Sequence, residues 1–80
     1  MTVSEYNESV ESYSDNLYRF VLKNIKDIDK AKDIVQDTFL KFWEKRDNVD
    51  KSKIKSYLFT IAYHSLIDVI RRDKRQGSFD

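Results

Sequence analysis

The sequence predicts an all-α fold, a compact bundle of three to four helices. The 80 residues include no proline and one glycine, so tight turns and hairpins must be scarce. Apolar residues recur at steps of three and four along most of the chain, which is the spacing of amphipathic helices. Hydrophobic residues make up 40% of the chain, enough for one small core. We therefore expect a single helical domain over residues 1–75 and a frayed tail, or the start of a linker, over 76–80.

The first apolar stripe runs from about residue 4 to 26. Its members are Tyr6, Val10, Tyr13, Leu17, Phe20, Val21 and Ile25. Within the stripe, Ser14 has a side chain suited to a helix N-cap, and Asp15 follows it where a first turn would begin. We therefore predict two helices separated at Ser14 rather than one long helix.

The next helix is predicted to begin after Asp29 or Asp27 and to end near Arg46. Either aspartate suits an N-cap, and basic residues suit a helix C-terminus. Helical spacing of 100° per residue assigns one side of this helix to the core, namely Ala31, Ile34, Val35, Thr38, Phe39 and Phe42. A polar loop is expected over residues 46–52.

The opposite side of that helix mixes carboxylates with large apolar groups. It carries Asp33, Gln36, Asp37, Leu40, Trp43 and Glu44. Apolar groups ringed by charge favour a docking surface for a basic partner, with Leu40 and Trp43 as anchors and the acids steering the approach. The alternative is that the first helix covers Leu40 and Trp43 and that the acids are merely solvated.

The last predicted helix runs from about Lys53 to Arg72 or a little beyond. Its buried side should consist of Ile54, Leu58, Ile61, Ala62, Leu66 and Val69. A narrow sector elsewhere on the helix carries Lys53, Tyr57, Thr60, His64, Arg71 and Arg75, with Lys51 near its start. Cations bind phosphates and an aromatic ring stacks on an unpaired base, so this sector is a candidate surface for single-stranded nucleic acid. The alternative is a solvated face whose cations complement the helix C-terminus.

The charge distribution agrees with two separate surfaces. Residues 1–40 carry five Lys or Arg against eight Asp or Glu, a net of −3, whereas residues 41–80 carry ten against six, a net of +4. The two halves are therefore expected to face different partners, although the whole chain has a net charge of only +1.

Several functional classes are disfavoured by residues that the sequence lacks. There is no cysteine, which excludes disulfides, thiolate metal sites and a cysteine nucleophile. His64 is the only histidine and has only Asp68 at ligand spacing, so we expect no metal. No glycine-rich phosphate loop or nucleophile–base set is present, so we expect neither an enzyme nor a cofactor. The acidic start and the lack of a long apolar run predict a cytoplasmic protein without a membrane partner.

Three blocks of sequence carry a family resemblance: Ala31–Trp43 (AKDIVQDTFLKFW), Tyr57–His64 (YLFTIAYH) and Ile67–Arg72 (IDVIRR). Together they resemble region 2 of the extracytoplasmic-function (ECF) class of bacterial RNA polymerase sigma factors. The stretch from Tyr6 to Phe20 resembles the opening segment of that region, so the likeness covers nearly the whole chain.

The resemblance implies a sigma factor fragment that binds core RNA polymerase and recognises and melts the promoter −10 element by capturing the non-template strand during transcription initiation. The clamp helices of the large polymerase subunit would be bound by Asp33, Gln36, Asp37, Leu40 and Trp43. Promoter DNA, mainly single-stranded −10 DNA, would be bound by the loop over residues 47–52, which includes Asn48 and Lys51, and by Tyr57, Thr60, Tyr63 and His64, while Arg71 and Arg72 would meet the DNA backbone. Lys53 and Arg75, from the basic sector of the last helix, complete the candidate DNA-binding residues. The resemblance also allows for an anti-sigma factor as a further partner.

The chain departs from the family pattern at three positions. His64 stands where the family commonly has Asn, Tyr57 where it has Trp, and Lys32 where it has Glu. His64 changes the pattern of hydrogen-bond donors and acceptors, so the base preference of the family does not carry over. These 80 residues also lack the family's helix-turn-helix for the −35 element, which predicts a fragment of a longer protein.

Two other functions compete with this interpretation. One is a helical protein–protein adaptor that does not bind nucleic acid. The other is a helix-turn-helix reader of duplex DNA, which the lack of a short glycine-containing turn before a recognition helix disfavours.

Overall fold

The computed structural model describes the backbone of residues 1–77 and the side chains of residues 1–74. It contains three α-helices, which are α1 (Val3–Ile25), α2 (Ile28–Lys45) and α3 (Ile54–Gly77). Two 3₁₀ turns, Arg46–Asn48 and Lys51–Lys53, connect α2 to α3. The described residues form no strand, and the predicted all-α fold is confirmed.

The predicted break at Ser14 is wrong, because α1 is a single helix. Its N-terminus is capped at Thr2, whose hydroxyl accepts a 3.1 Å hydrogen bond from the Glu5 backbone N–H. The Glu5 carboxylate in turn accepts from the Thr2 backbone N–H at 3.1 Å, which completes a capping box. On the C-terminal side of Ser14, Leu17 and Val21 are fully buried, and on its N-terminal side Tyr6 and Val10 pack against the same core. The apolar stripe thus stays on one side of the helix across Ser14, and its packing outweighs the local preference of serine for a cap.

The junction between α1 and α2 is short and well defined. Lys26 ends α1 in the left-handed conformation, with φ at 56°, and its N–H donates to the Leu22 carbonyl at 2.8 Å. Asp27, one of the two predicted caps, accepts a 3.1 Å hydrogen bond from the Lys30 N–H. Consequently α2 begins one residue after Asp27 and ends at Lys45, close to the predicted boundary.

Each of the three helices packs against the other two around one core. The buried apolar residues are Leu17, Val21, Ala31, Ile34, Phe39, Phe42, Ile54, Leu58, Ala62 and Leu66. Thr38 is buried among them, and its hydroxyl donates to the Ile34 carbonyl at 2.7 Å, so its burial leaves no unpaired polar atom. The core faces predicted for α2 and α3 are therefore correct, with Val35, Ile61 and Val69 only partly buried.

The segment over residues 46–52, predicted as a polar loop, contains regular structure. It consists largely of the two 3₁₀ turns, and Asp50 caps the second turn by accepting a 3.0 Å hydrogen bond from the Ser52 N–H. Val49, between the turns, packs against the core. At the other end of α3 the helix continues through Gly77, while residues 78–80 of the predicted tail lie outside the described residues.

Candidate functional site

We define the outer face of α2 as Asp33, Gln36, Asp37, Leu40 and Trp43. Its first four members line a groove between α1 and α2. Leu40 is 56% exposed, and Asp33 and Gln36 are also exposed. All three line the groove, together with the apolar side chain of Val10 from α1. The predicted combination of an exposed apolar anchor and an acidic rim is therefore present at this position.

Trp43 differs from Leu40, because the first helix partly covers it. Its ring and the ring of Tyr6 form a T-shaped pair, with centroids 4.8 Å apart. The Arg46 guanidinium lies 3.7 Å from the Trp43 ring centroid and donates a 2.7 Å hydrogen bond to the Trp43 carbonyl. The alternative that α1 covers the two anchors is thus partly correct for Trp43 and wrong for Leu40. Sequence reasoning missed Arg46, although an arginine three residues after a tryptophan at a helix end is a usable signal.

Asp37 contacts α3 in addition to lining the groove between α1 and α2. Its carboxylate pairs with the Lys41 ammonium at 3.1 Å and accepts a 3.3 Å hydrogen bond from the Ser65 hydroxyl. It lines a hollow between α2 and α3, together with Asp33 and Arg72. Arg72, a predicted DNA contact, is exposed and lines the same hollow as three carboxylates, those of Asp33, Asp37 and Asp68.

The strand surface of α3, which we define as Thr60, Tyr63, His64 and Arg71, is exposed throughout. Tyr63 is 52% exposed, and its ring centroid lies 6.1 Å from that of His64. The Thr60 hydroxyl donates to the Ser56 carbonyl at 2.8 Å, which leaves its oxygen free to accept. An aromatic ring, an imidazole and a cation are thus available to an unpaired base and its phosphate.

Tyr57 occupies a more interior position than the rest of the predicted sector. It is partly buried, and its ring centroid lies 6.3 Å from that of Phe42 in the core. The structure therefore gives Tyr57 a packing role in addition to the predicted contact with DNA.

The predicted DNA contacts before α3 are exposed, but one of them already has a partner. Asn48, Lys51 and Lys53 are all exposed. The Lys51 ammonium forms an ion pair with the Glu5 carboxylate of α1. The Lys51 hydrogen bond, followed by that from the Thr2 backbone, lowers the pKa of Glu5 to about 2, and the same contact raises the pKa of Lys51. The side chain of Arg75 lies outside the described residues.

Neither a metal centre nor a membrane span is found in the part of the chain that the structure describes. No three potential ligands among histidine, aspartate and glutamate come together there. None of the described helices is both long enough and apolar enough to cross a bilayer.

Comparison with known proteins bears on both surfaces. Residues 9–76 match the family described as sigma-70 region 2. The chain belongs to this family. The match includes the whole outer face of α2 and the whole strand surface of α3, whereas Glu5 and Tyr6 precede it.

Three relatives of this sigma-70 region 2 chain come from Bacillus subtilis (strain 168). It is 34% identical to the ECF RNA polymerase sigma factor SigM, over 88% of this chain and 43% of SigM. It is 30% identical to the RNA polymerase sigma factor YlaC, over 86% of this chain and 43% of YlaC. Identity to the ECF RNA polymerase sigma factor SigW is 29%, over 86% of this chain and 37% of SigW. The chain thus spans less than half the length of these relatives, and no solved structure matches it.

Proposed function

We propose that this chain is the part of an ECF sigma factor that binds core RNA polymerase and recognises and melts the promoter −10 element by capturing the non-template strand. One observation supports the proposal beyond family membership. Among the described residues, four large apolar side chains are more than half exposed: Val3, Ile28, Leu40 and Tyr63. Leu40 and Tyr63 belong to the two predicted surfaces, where exposed apolar area is useful for binding.

The proposed polymerase contact is the groove between α1 and α2. Leu40 would insert between side chains of the clamp helices of the large subunit, while Asp33 and Gln36 would provide the polar rim. Burial of an apolar centre within a polar rim is the usual anatomy of a protein interface. Asp37 and the partly buried Trp43 would contribute less, because both already have partners within the domain.

The proposed DNA contact is the strand surface of α3. Tyr63 would stack on an unpaired base, and Thr60 and His64 would form hydrogen bonds with base edges. Lys53 and Arg71 would bind phosphates, with Asn48, Lys51, Tyr57, Arg72 and Arg75 as additional contacts. No catalytic step is needed, because the binding free energy of the captured bases offsets the loss of base pairing. These partners imply a cytoplasmic location, and an anti-sigma factor remains an expected partner of the whole protein.

The proposal is tested by measuring the binding of the 80-residue chain to a labelled single-stranded oligonucleotide with a −10-like sequence, at two salt concentrations. We expect affinity that falls as salt rises, because phosphate contacts release counterions. A scrambled strand and the corresponding duplex serve as controls, and both should bind more weakly. Binding to core polymerase is measured in parallel by co-elution.

The competing functions give different results in the same experiment. A protein–protein adaptor would bind a partner protein but would show no salt-dependent binding to the oligonucleotide. A duplex reader would prefer double-stranded over single-stranded DNA. Either result would contradict the proposed capture of an unpaired strand.

A further inference from the structure

We propose that Glu5 is a positioning residue that holds Lys51 against α1 and thereby lowers the affinity of the chain for single-stranded DNA. The inference rests on the proposed function and adds a residue that lies before the region matched by the family. The N-terminal turn of α1 would thus weaken the contribution to DNA binding of a lysine in the 3₁₀ turn that precedes α3.

The two carboxylate oxygens of Glu5 have separate roles. One oxygen, Oε1, accepts the 3.1 Å hydrogen bond from the Thr2 N–H in the capping box. The other, Oε2, pairs with the Lys51 ammonium. The capping box fixes the carboxylate at the start of α1, so Glu5 meets Lys51 without having to order a free side chain.

Lys51 differs in this respect from its neighbours in sequence. Lys53 and Lys55 are also exposed, yet within the described part of the chain neither forms an ion pair with a carboxylate. Lys51 and Lys53 belong to the same 3₁₀ turn, which leads directly into α3. Lys51, which precedes α3, is therefore neutralised by Glu5, whereas Lys53 in the same turn is available to bind a phosphate.

The pairing has a direct consequence for DNA binding. A phosphate that approaches Lys51 must displace the Glu5 carboxylate, and the displaced carboxylate then repels the phosphate. Glu8, one turn further along α1, adds to the negative field and contributes to the raised pKa of Lys51, after the larger effect of Glu5. Lys51 should therefore add little to the affinity until its contact with Glu5 is removed.

The test is a double-mutant cycle in the 80-residue chain with the variants Glu5→Gln, Lys51→Gln and the combination of both. Glutamine retains an oxygen for the capping box but removes the charge that pairs with Lys51. Glu11→Gln is the matched control, because it removes the same charge from an exposed position on the same helix. Affinity for a single-stranded −10-like oligonucleotide is measured against salt for each protein, and the midpoint of thermal unfolding confirms that each is folded.

We expect Glu5→Gln to bind the oligonucleotide about 2- to 5-fold more tightly than the unmodified chain, because the DNA no longer has to break one exposed ion pair. The logarithm of the binding constant should fall more steeply with the logarithm of the salt concentration. The slope should become more negative by up to about 0.7, which is the value for one added phosphate contact on a single strand. Glu11→Gln should change the affinity less. In the Lys51→Gln background, Glu5→Gln should have no more effect than Glu11→Gln.

Two outcomes would overturn the inference while leaving the proposed function intact. One is salt-dependent binding of the unmodified chain that Glu5→Gln strengthens no more than Glu11→Gln does. The other is a gain in affinity from Glu5→Gln that is equally large in the Lys51→Gln variant. Such a gain would reflect the negative electrostatic potential of α1 as a whole and not the ion pair between Glu5 and Lys51. Absence of salt-dependent binding in every variant would instead contradict the proposed function, and the inference with it.

Discussion

The hydroxyl of Tyr6 donates a hydrogen bond of 2.9 Å to the backbone carbonyl of Phe39 and so ties the first turns of α1 to the middle of α2. The ring of the same residue stacks on Phe42, with centroids 5.5 Å apart, and meets Trp43 edge-on. Burial of the phenol raises the pKa of Tyr6. Tyr6 therefore fixes α1 beside the face of α2 that presents Leu40.

Replacement of Tyr6 by Phe should keep the ring contacts and remove the bond to Phe39. We expect the free energy of unfolding to fall by about 0.5 to 1.5 kcal/mol, the net value of a typical hydrogen bond. Urea denaturation at neutral pH measures the change. Tyr18→Phe is the control, because the described residues offer the Tyr18 hydroxyl no hydrogen bond, and an equal loss there would contradict the role given to Tyr6.

Replacement of Lys26 by Gly should stabilise the domain. Lys26 has a φ of 56°, where a side chain is unfavourable and glycine is tolerated freely. The expected gain is about 0.5 to 1 kcal/mol, after allowance for the greater freedom of glycine in the unfolded chain. Lys23→Gly, at an exposed position in the last turn of α1, should lower stability by up to about 1 kcal/mol. Changes of the same sign in both variants would show that backbone conformation at Lys26 is not the cause.

Replacement of Leu40 by Asp should weaken binding to core polymerase by about 10- to 100-fold, the loss expected for a central apolar anchor. Binding to the single-stranded oligonucleotide should stay close to that of the unmodified chain. Ile28→Asp is a matched control, because Ile28 is 57% exposed on the same helix but does not line the groove between α1 and α2. Co-elution with core polymerase measures the effect, and equal losses in the two variants would point to charge alone.

Replacement of Tyr63 by Ala should weaken binding to the oligonucleotide by about 5- to 150-fold, because stacking of one base contributes about 1 to 3 kcal/mol. Tyr63→Phe keeps the ring and should retain most of the affinity. Since Tyr63 is 52% exposed, neither change should unfold the domain. Fluorescence anisotropy of a labelled strand measures binding, and normal affinity in the Ala variant would rule out stacking on Tyr63.

The ion pair of Glu5 should make stability depend on pH in the acid range. Its hydrogen bonds lower the pKa of Glu5 from 4.5 to about 2 in the folded chain. A lowered pKa in the folded state means that the contribution is fully present above about pH 4.5 and is lost as the pH falls towards 2. The stability difference between the unmodified chain and Glu5→Gln should therefore shrink between pH 6 and pH 3. Urea midpoints at the two pH values measure it, and a constant difference would argue against the pair.

Much of the fold follows from local patterns along the chain. The steps of three and four that carry Leu17 and Val21 in α1, and Ile34 and Phe42 in α2, predicted which sides of the helices would be buried. Asp27 was a predicted cap and does cap α2. The family resemblance seen in the blocks of α2 and α3 is confirmed by the match to sigma-70 region 2.

The continuity of α1 and the exposure of Leu40 and Trp43 depend instead on how the helices pack against one another. Ser14 has the chemistry of a helix cap, yet whether a helix breaks there depends on whether the apolar stripe on both sides can pack on one core. Leu40 and Trp43 occupy the same side of α2 in any helical projection. The position of Tyr6 and Arg46 decides that Trp43 is partly covered while Leu40 stays exposed.

The sequence by itself determined the helical class and the buried sides of α2 and α3, because both follow from the spacing of apolar residues a few positions apart, and its blocks of residues carried the resemblance to the family. Tertiary structure alone decided that α1 is continuous, that Leu40 is open to a partner and that Lys51 pairs with Glu5. The physical reason is that these features depend on contacts between residues far apart in the chain, and such contacts exist only once the helices have packed.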